Sequence, residues 1–114
     1  MKLSQAIRRG CRQTHQIKAQ FTDGEGGACA VGAAMIGVNS DSPHSVRFEQ
    51  EWPILDNPVR HPITLEKTVV YDVIVSLNDK YDWTREAIAD WVESVELGTM
   101  TMQPIVEEKE VCLI

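Results

Sequence analysis

No apolar run in this chain approaches the ~20 residues needed to cross a bilayer. The opening MKLSQAIRRG also lacks the apolar stretch of a secretory signal. The expectation is a cytoplasmic protein without membrane contact. Cysteine is sparse: Cys11, Cys29 and Cys112 are odd in number and far apart, with no C-x-x-C. That spacing excludes a local zinc knuckle or a thioredoxin-like dithiol, and it agrees with reduced thiols. Cys112 stands third from the last residue, whereas a prenylation box needs it fourth.

Phosphate and metal signals are missing as well. Gly24, Gly26 and Gly27 precede an apolar run, but no Gly-Lys-Ser/Thr follows them and G-x-G-x-x-G fails at Cys29. Asp23 and Glu25 would also repel a phosphate placed there. His15, His44 and His61 show no ligand spacing, so neither metal nor cofactor is expected.

Acids are absent from residues 1–18, which carry Lys2, Arg8, Arg9, Arg12 and Lys18. All 17 acidic residues therefore fall in the remainder, against six basic ones there, and the net charge is −6. An acidic whole repels nucleic acid at long range. The basic face Arg8, Arg9, Arg12 leaves a local nucleic-acid contact through the first helix as one alternative.

At 114 residues with 43% apolar and 25% charged content, the chain is one globular domain's worth. Such a chain buries about 65% of the surface its unfolded form exposes, enough for a core without staples. The reading is a mainly α, compact four-helix domain over 1–98, with an irregular excursion at 40–63, one or two short strands, and a tail at 99–114.

The first helix spans 3–12, with Leu3, Ala6, Ile7, Gly10 and Cys11 on one arc and Ser4 as its N-cap. A glycine turn at 23–27 leads to a second helix over Ala28–Ile36, apolar all round and hence buried. Its Gly32, Ala33 and Ala34 allow close backbone approach. The excursion holds four of the five prolines. A short strand is expected over Val46–Phe48, with Trp52, Ile54 and Leu55 anchoring the excursion to the core.

Helical period returns from Thr64, with Val70, Val73, Ile74 and Leu77 on one face; the β-branched VVYDVIV makes a strand the alternative there. Asn78 and Asp79 then read as a turn between helices. The last helix has every local signal. Thr84 is the N-cap and Trp83 can staple to Ile88. Ile88, Trp91, Val92 and Val95 form its apolar stripe, and Gly98 ends it.

KLSQAIRRG, CAVGAA and LNDKYDWTREAIADWVE together resemble a group of small bacterial and phage proteins. These share a [KR]-L-S-x-A-I start, a C-A-x-G-A-A helix and an L-N-D-x-x-x-W-T-R-E-x-I-A-D-W ending. The matched motifs cover about 35 residues. Some of those proteins carry a cysteine pair before L-N-D; this chain has none, so a metal role does not transfer. The resemblance implies architecture and no activity.

The functional expectation is a non-catalytic interaction or regulatory protein of bacterial or phage origin that binds and inhibits a host protein. Loops on a rigid scaffold carry recognition. Partner contact is therefore expected at the excursion and tail, with Phe48 and Trp52 as apolar anchors and Arg47 and Arg60 as polar ones, beside the Arg8, Arg9, Arg12 face. The enzyme alternative is a small cysteine hydrolase using Cys29, which lies near a predicted helix N-terminus where a thiol's pKa falls. Ala28–Val31 otherwise reads as core, with Cys29 a buried thiol.

Overall fold

α1 (Leu3–Cys11) turns Leu3, Ala6, Ile7 and Gly10 inward, the face that the sequence spacing marks. The computed structural model describes residues 1–38 and 47–98, and α1 opens it with one correction. Ser4 does not cap the helix, because Lys2 holds the cap position. Ser4 is buried, its hydroxyl donating to Glu96 Oε1 at 2.6 Å and its N–H to Glu96 Oε2 at 3.0 Å. Glu96 ends α5 (Arg85–Glu96), so this pair joins the first helix to the last.

α2 (Ala30–Val38) is the central helix, with seven of its nine residues buried. Its small residues let other backbone come into direct contact. A Cβ on Gly10 would lie 1.7 Å from the Ala33 carbonyl oxygen, and one on Gly37 would lie 2.2 Å from that of Ala6. On the other side, a Cβ on Gly32 would lie 1.7 Å from the Phe21 oxygen. α1 and the 21–22 segment are therefore pressed onto α2 with no side chain between.

Two short strands, β1 (His15–Gln16) and β2 (Gly27–Ala28), pair in parallel just before α2. The turn between them is set by Asp23, whose Oδ1 accepts the N–H groups of Glu25 and Gly27 at 2.8 and 2.9 Å. Gly24 and Gly26 take positive φ of 76° and 88°, which glycine adopts without strain.

The strand expected over Val46–Phe48 is not found: Val46 lies outside the described residues, and Phe48 begins a helical turn, α3 (Phe48–Glu51). A 3-10 turn follows over Pro53–Asp56. Next comes an antiparallel hairpin of β3 (Pro58–Arg60) and β4 (Lys67–Val69). The helix expected from Thr64 therefore starts later, as α4 (Val70–Asp79), because Lys67–Val69 pair with β3 first. α5 is as the sequence implies: the Thr84 hydroxyl accepts the Ala87 N–H at 3.1 Å, and Gly98 takes φ 82° past its end.

One core joins these elements. Leu3, Ile7, Val31, Leu55, Val59, Val73, Ile74, Leu77, Ile88, Trp91 and Val92 belong to a single buried cluster. The described residues form a mainly α globule with four helices of nine or more residues and two small sheets. No helix of the described residues is long and apolar enough to cross a membrane.

Candidate functional site

The loop of the β3–β4 hairpin puts two aliphatic side chains into water. Ile63 is 42% exposed and Leu65 64% exposed. Leu65 also has φ +66°, the left-handed region that favours glycine. A leucine there costs about 1 kcal/mol relative to glycine. Its exposure forgoes about 1.5–3 kcal/mol of burial.

The loop carrying them is nevertheless tightly built. The Leu65 N–H donates to the His61 carbonyl and the His61 N–H to the Glu66 carbonyl, both at 2.9 Å. The Arg60 guanidinium donates to the Leu65 carbonyl at 2.9 Å. The Thr64 hydroxyl accepts the Glu66 N–H at 3.3 Å.

His61 is the peg under the loop. Its ring is buried, and Nδ1 accepts the N–H groups of Ile63 at 3.1 Å and Thr64 at 3.3 Å. Nδ1 is then unprotonated, so Nε2 carries the hydrogen and donates to Ser76 Oγ at 3.0 Å. That polarity is the reverse of a nucleophile–base pair, because the imidazole has no lone pair free for the Ser76 proton.

Burial holds the His61 pKa below its ordinary 6.5, with Lys80 lowering it further and Glu66 opposing. The folded state therefore resists protonation of His61, while the unfolded chain takes up that proton near pH 6.5. The stabilisation is complete above about pH 6.5 and declines as pH falls toward the folded-state value. Chemical denaturation at pH 7.5 and 5.5 should show a loss on acidification that shrinks in His61→Asn. A gain in parent stability at pH 5.5 relative to His61→Asn would mean that the ring is held as a cation.

Cys29 precedes α2, and its Sγ lies 3.5 Å from the Gly32 N–H. Those helix N–H groups draw its pKa down, but burial dominates and pushes it up, with the Asp79 charge adding. Among the described residues, no histidine lines the cleft beside Cys29. The thiol is thus protonated and almost wholly buried at the wall of that cleft, the opposite of an activated nucleophile. In a Cys11→Ser, Cys112→Ser background, native Cys29 should react with a thiol reagent only as fast as the protein opens. Rapid labelling that titrates below about pH 7 would instead favour the hydrolase.

Two polar clusters escape sequence reasoning, because their partners lie far along the chain. Asn78 and Asp79, expected as an interhelical turn, are the last residues of α4 and pin the segment after β1. Asn78 Oδ1 accepts from Gln16 Nε2 at 3.0 Å, and its Nδ2 donates to the Ile17 carbonyl at 2.9 Å. Arg85 is buried, with no carboxylate partner among the described residues. It donates to Thr14 Oγ1 at 2.6 Å, the Thr14 carbonyl at 2.9 Å and the Ala28 carbonyl at 3.2 Å. Its role is to clamp the start of α5 to the segment between α1 and β1 and to β2.

The residues expected to contact a partner are not brought together. Trp52 is 3% exposed, and its indole N–H donates to the Met1 carbonyl at 3.0 Å; it closes the core and offers no anchor. The Phe48 side chain lies outside the described part. Arg47 is exposed, and its carbonyl starts α3. Arg60 is exposed, with its guanidinium on the Leu65 carbonyl.

The basic face of α1 is partly neutralised. Arg8 pairs with Asp90 and Glu93, each at 2.7 Å, which raises its pKa further. Arg9 and Arg12 are exposed. Residues 39–46 and 99–114, the rest of the expected recognition surface, lie outside the described residues. Among the described residues, no group of three histidine, cysteine or acidic side chains could hold a metal ion. No family model, curated protein or solved structure matches the chain.

Proposed function

We propose that this is a cytoplasmic, non-catalytic protein-binding regulator of bacterial or phage origin, which acts by binding and inhibiting a host protein. The observation that carries the reading is the hairpin knuckle: Ile63 and Leu65, two residues apart, are displayed on a loop whose backbone N–H groups from His61 to Glu66 are all hydrogen-bonded. A scattered surface aliphatic needs no explanation. A leucine in left-handed backbone on a pinned loop is costly twice over, and such costs cluster where recognition occurs. A rigid display also reduces the ordering cost of binding. Arg60, bound to the Leu65 carbonyl, supplies a cation at the rim.

The two alternatives have less support. Cys29 is almost wholly buried, with its pKa pushed up. Arg8 is bound to two acids of α5, which leaves a thin basic face for nucleic acid.

The test is a pull-down from the native host with the parent and with Ile63→Asp, Leu65→Asp, after both proteins are shown to melt alike. A partner retained by the parent and lost by the double variant supports the reading. Equal capture by both removes the knuckle from the interface. Loss of activity in Cys29→Ala, in an assay where the knuckle variant stays active, replaces the reading with the enzyme.

A further inference from the structure

A cleft of about 310 Å³ lies between residues 19–21, the start of α2 and α4. Its volume is at the lower end of the roughly 300–1,000 Å³ of small-molecule sites. Phe21, Val31, Tyr71, Ile74 and Val75 give it largely apolar walls, and Gln20, Asn78 and Asp79 supply polar groups.

Asn78 has little left to offer. Its Oδ1 accepts from Gln16, and its Nδ2 donates to the Ile17 carbonyl and to Asp79 Oδ1, the last at 2.7 Å. Asp79 is held by that bond and by the Ala19 N–H at 3.2 Å, both on Oδ1. Its Oδ2 has no hydrogen-bond partner among the described residues. The nearby cations are engaged elsewhere. Lys18 pairs with Asp82, and Lys80 lies over the Tyr81 ring at 5.7 Å from its centroid.

The result is a fixed carboxylate with one free oxygen at the edge of an apolar cleft. A neutral apolar ligand would fill the walls and leave that carboxylate poorly hydrated. An anion would meet like charge. An ammonium group on an apolar stem matches both the walls and the free oxygen.

We propose that this cleft binds a small organic monocation, with its ammonium on Asp79 Oδ2 and its apolar or aryl stem against Phe21, Tyr71 and Val75. The site is separate from the knuckle and does not depend on it. A lysine side chain of a partner presents the same chemistry, so the test includes it as a second source.

The experiment is an amide NMR titration with phenethylammonium, phenethyl alcohol, phenylacetate and Nα-acetyl-lysine methylamide. Saturable shifts are expected at Ala19, Ala30 and Val31, with the ammonium about 10-fold tighter than the alcohol, the scale of one charged hydrogen bond. Phenylacetate should not saturate. Asp79→Asn keeps the Oδ1 acceptor but removes the charge, and it should bring the ammonium down to the level of the alcohol. If Asp79→Asn does not fold, Val75→Trp, which fills the cleft, should abolish the saturable shifts.

Equal binding of alcohol and ammonium, unchanged ammonium affinity in Asp79→Asn, persistence of the shifts in Val75→Trp, or no saturable shift at these amides would each overturn the proposal. The lysine derivative binding as tightly as phenethylammonium would support the proposal and identify a partner's side chain as the source. Weaker binding of the lysine derivative would support it with a free amine as the source.

Discussion

Gly10→Ala is expected to destabilise the protein by about 3 kcal/mol or more. Two effects of opposite sign compete at this position. Alanine is the better helix former by about 1 kcal/mol, which alone would stabilise α1. Against it, the new Cβ would sit 1.7 Å from the Ala33 carbonyl oxygen, with the Ala33 carbonyl carbon at 2.4 Å. The obstacle is backbone inside a buried helix, so no rotamer change relieves it. α1 would have to move off α2, and the Ser4–Glu96 and Arg8–Asp90 bonds to α5 would move with it. The steric term wins. Urea denaturation of parent and variant measures the difference. A variant as stable as the parent would mean that α1 and α2 do not cross at Gly10.

The second large effect is expected at Trp91. This side chain is 6% exposed in the core cluster, and Trp91→Ala should cost about 3–5 kcal/mol. That is a large part of the roughly 5–15 kcal/mol that stabilises a domain. The indole N–H is buried without a partner among the described residues, so it contributes volume and no hydrogen bond there. Trp91→Phe should therefore cost well under half as much as Trp91→Ala, since it removes an unpaired polar group along with part of the ring. Melting curves of the two variants give the ratio. An unchanged melting temperature in Trp91→Ala would make the α5 stripe a binding face instead of core.

Much of the helical frame is legible in the sequence because its signals are local. α5 has its cap at Thr84, its stripe at Ile88, Trp91, Val92 and Val95, and its stop at Gly98, all within one short stretch. The hairpin is illegible for the same reason in reverse. Its strands are three residues each, too short to show alternation. β4 also runs straight into α4 at Val69–Val70 with no side-chain cap to mark the change.

The candidate site suffers most from this. Leu65 falls in the stretch read as helix from Thr64. Its exposure depends on a positive φ and on a histidine anchored to Ser76, fifteen residues away. Asn78 and Asp79 look like turn residues until Gln16, Ile17 and Ala19, some sixty positions earlier, are brought against them. Ser4 illustrates the opposite error, since a residue type that suits a cap is used to bind Glu96.

Protein binding by the hairpin knuckle can be read by photo-crosslinking from position 65 in native host cells. A photoreactive residue replaces Leu65 in one protein and the exposed Asp72 in a control. A discrete adduct of one host protein is expected from position 65 and none from position 72. No adduct from position 65, or the same diffuse pattern from both, would contradict such binding.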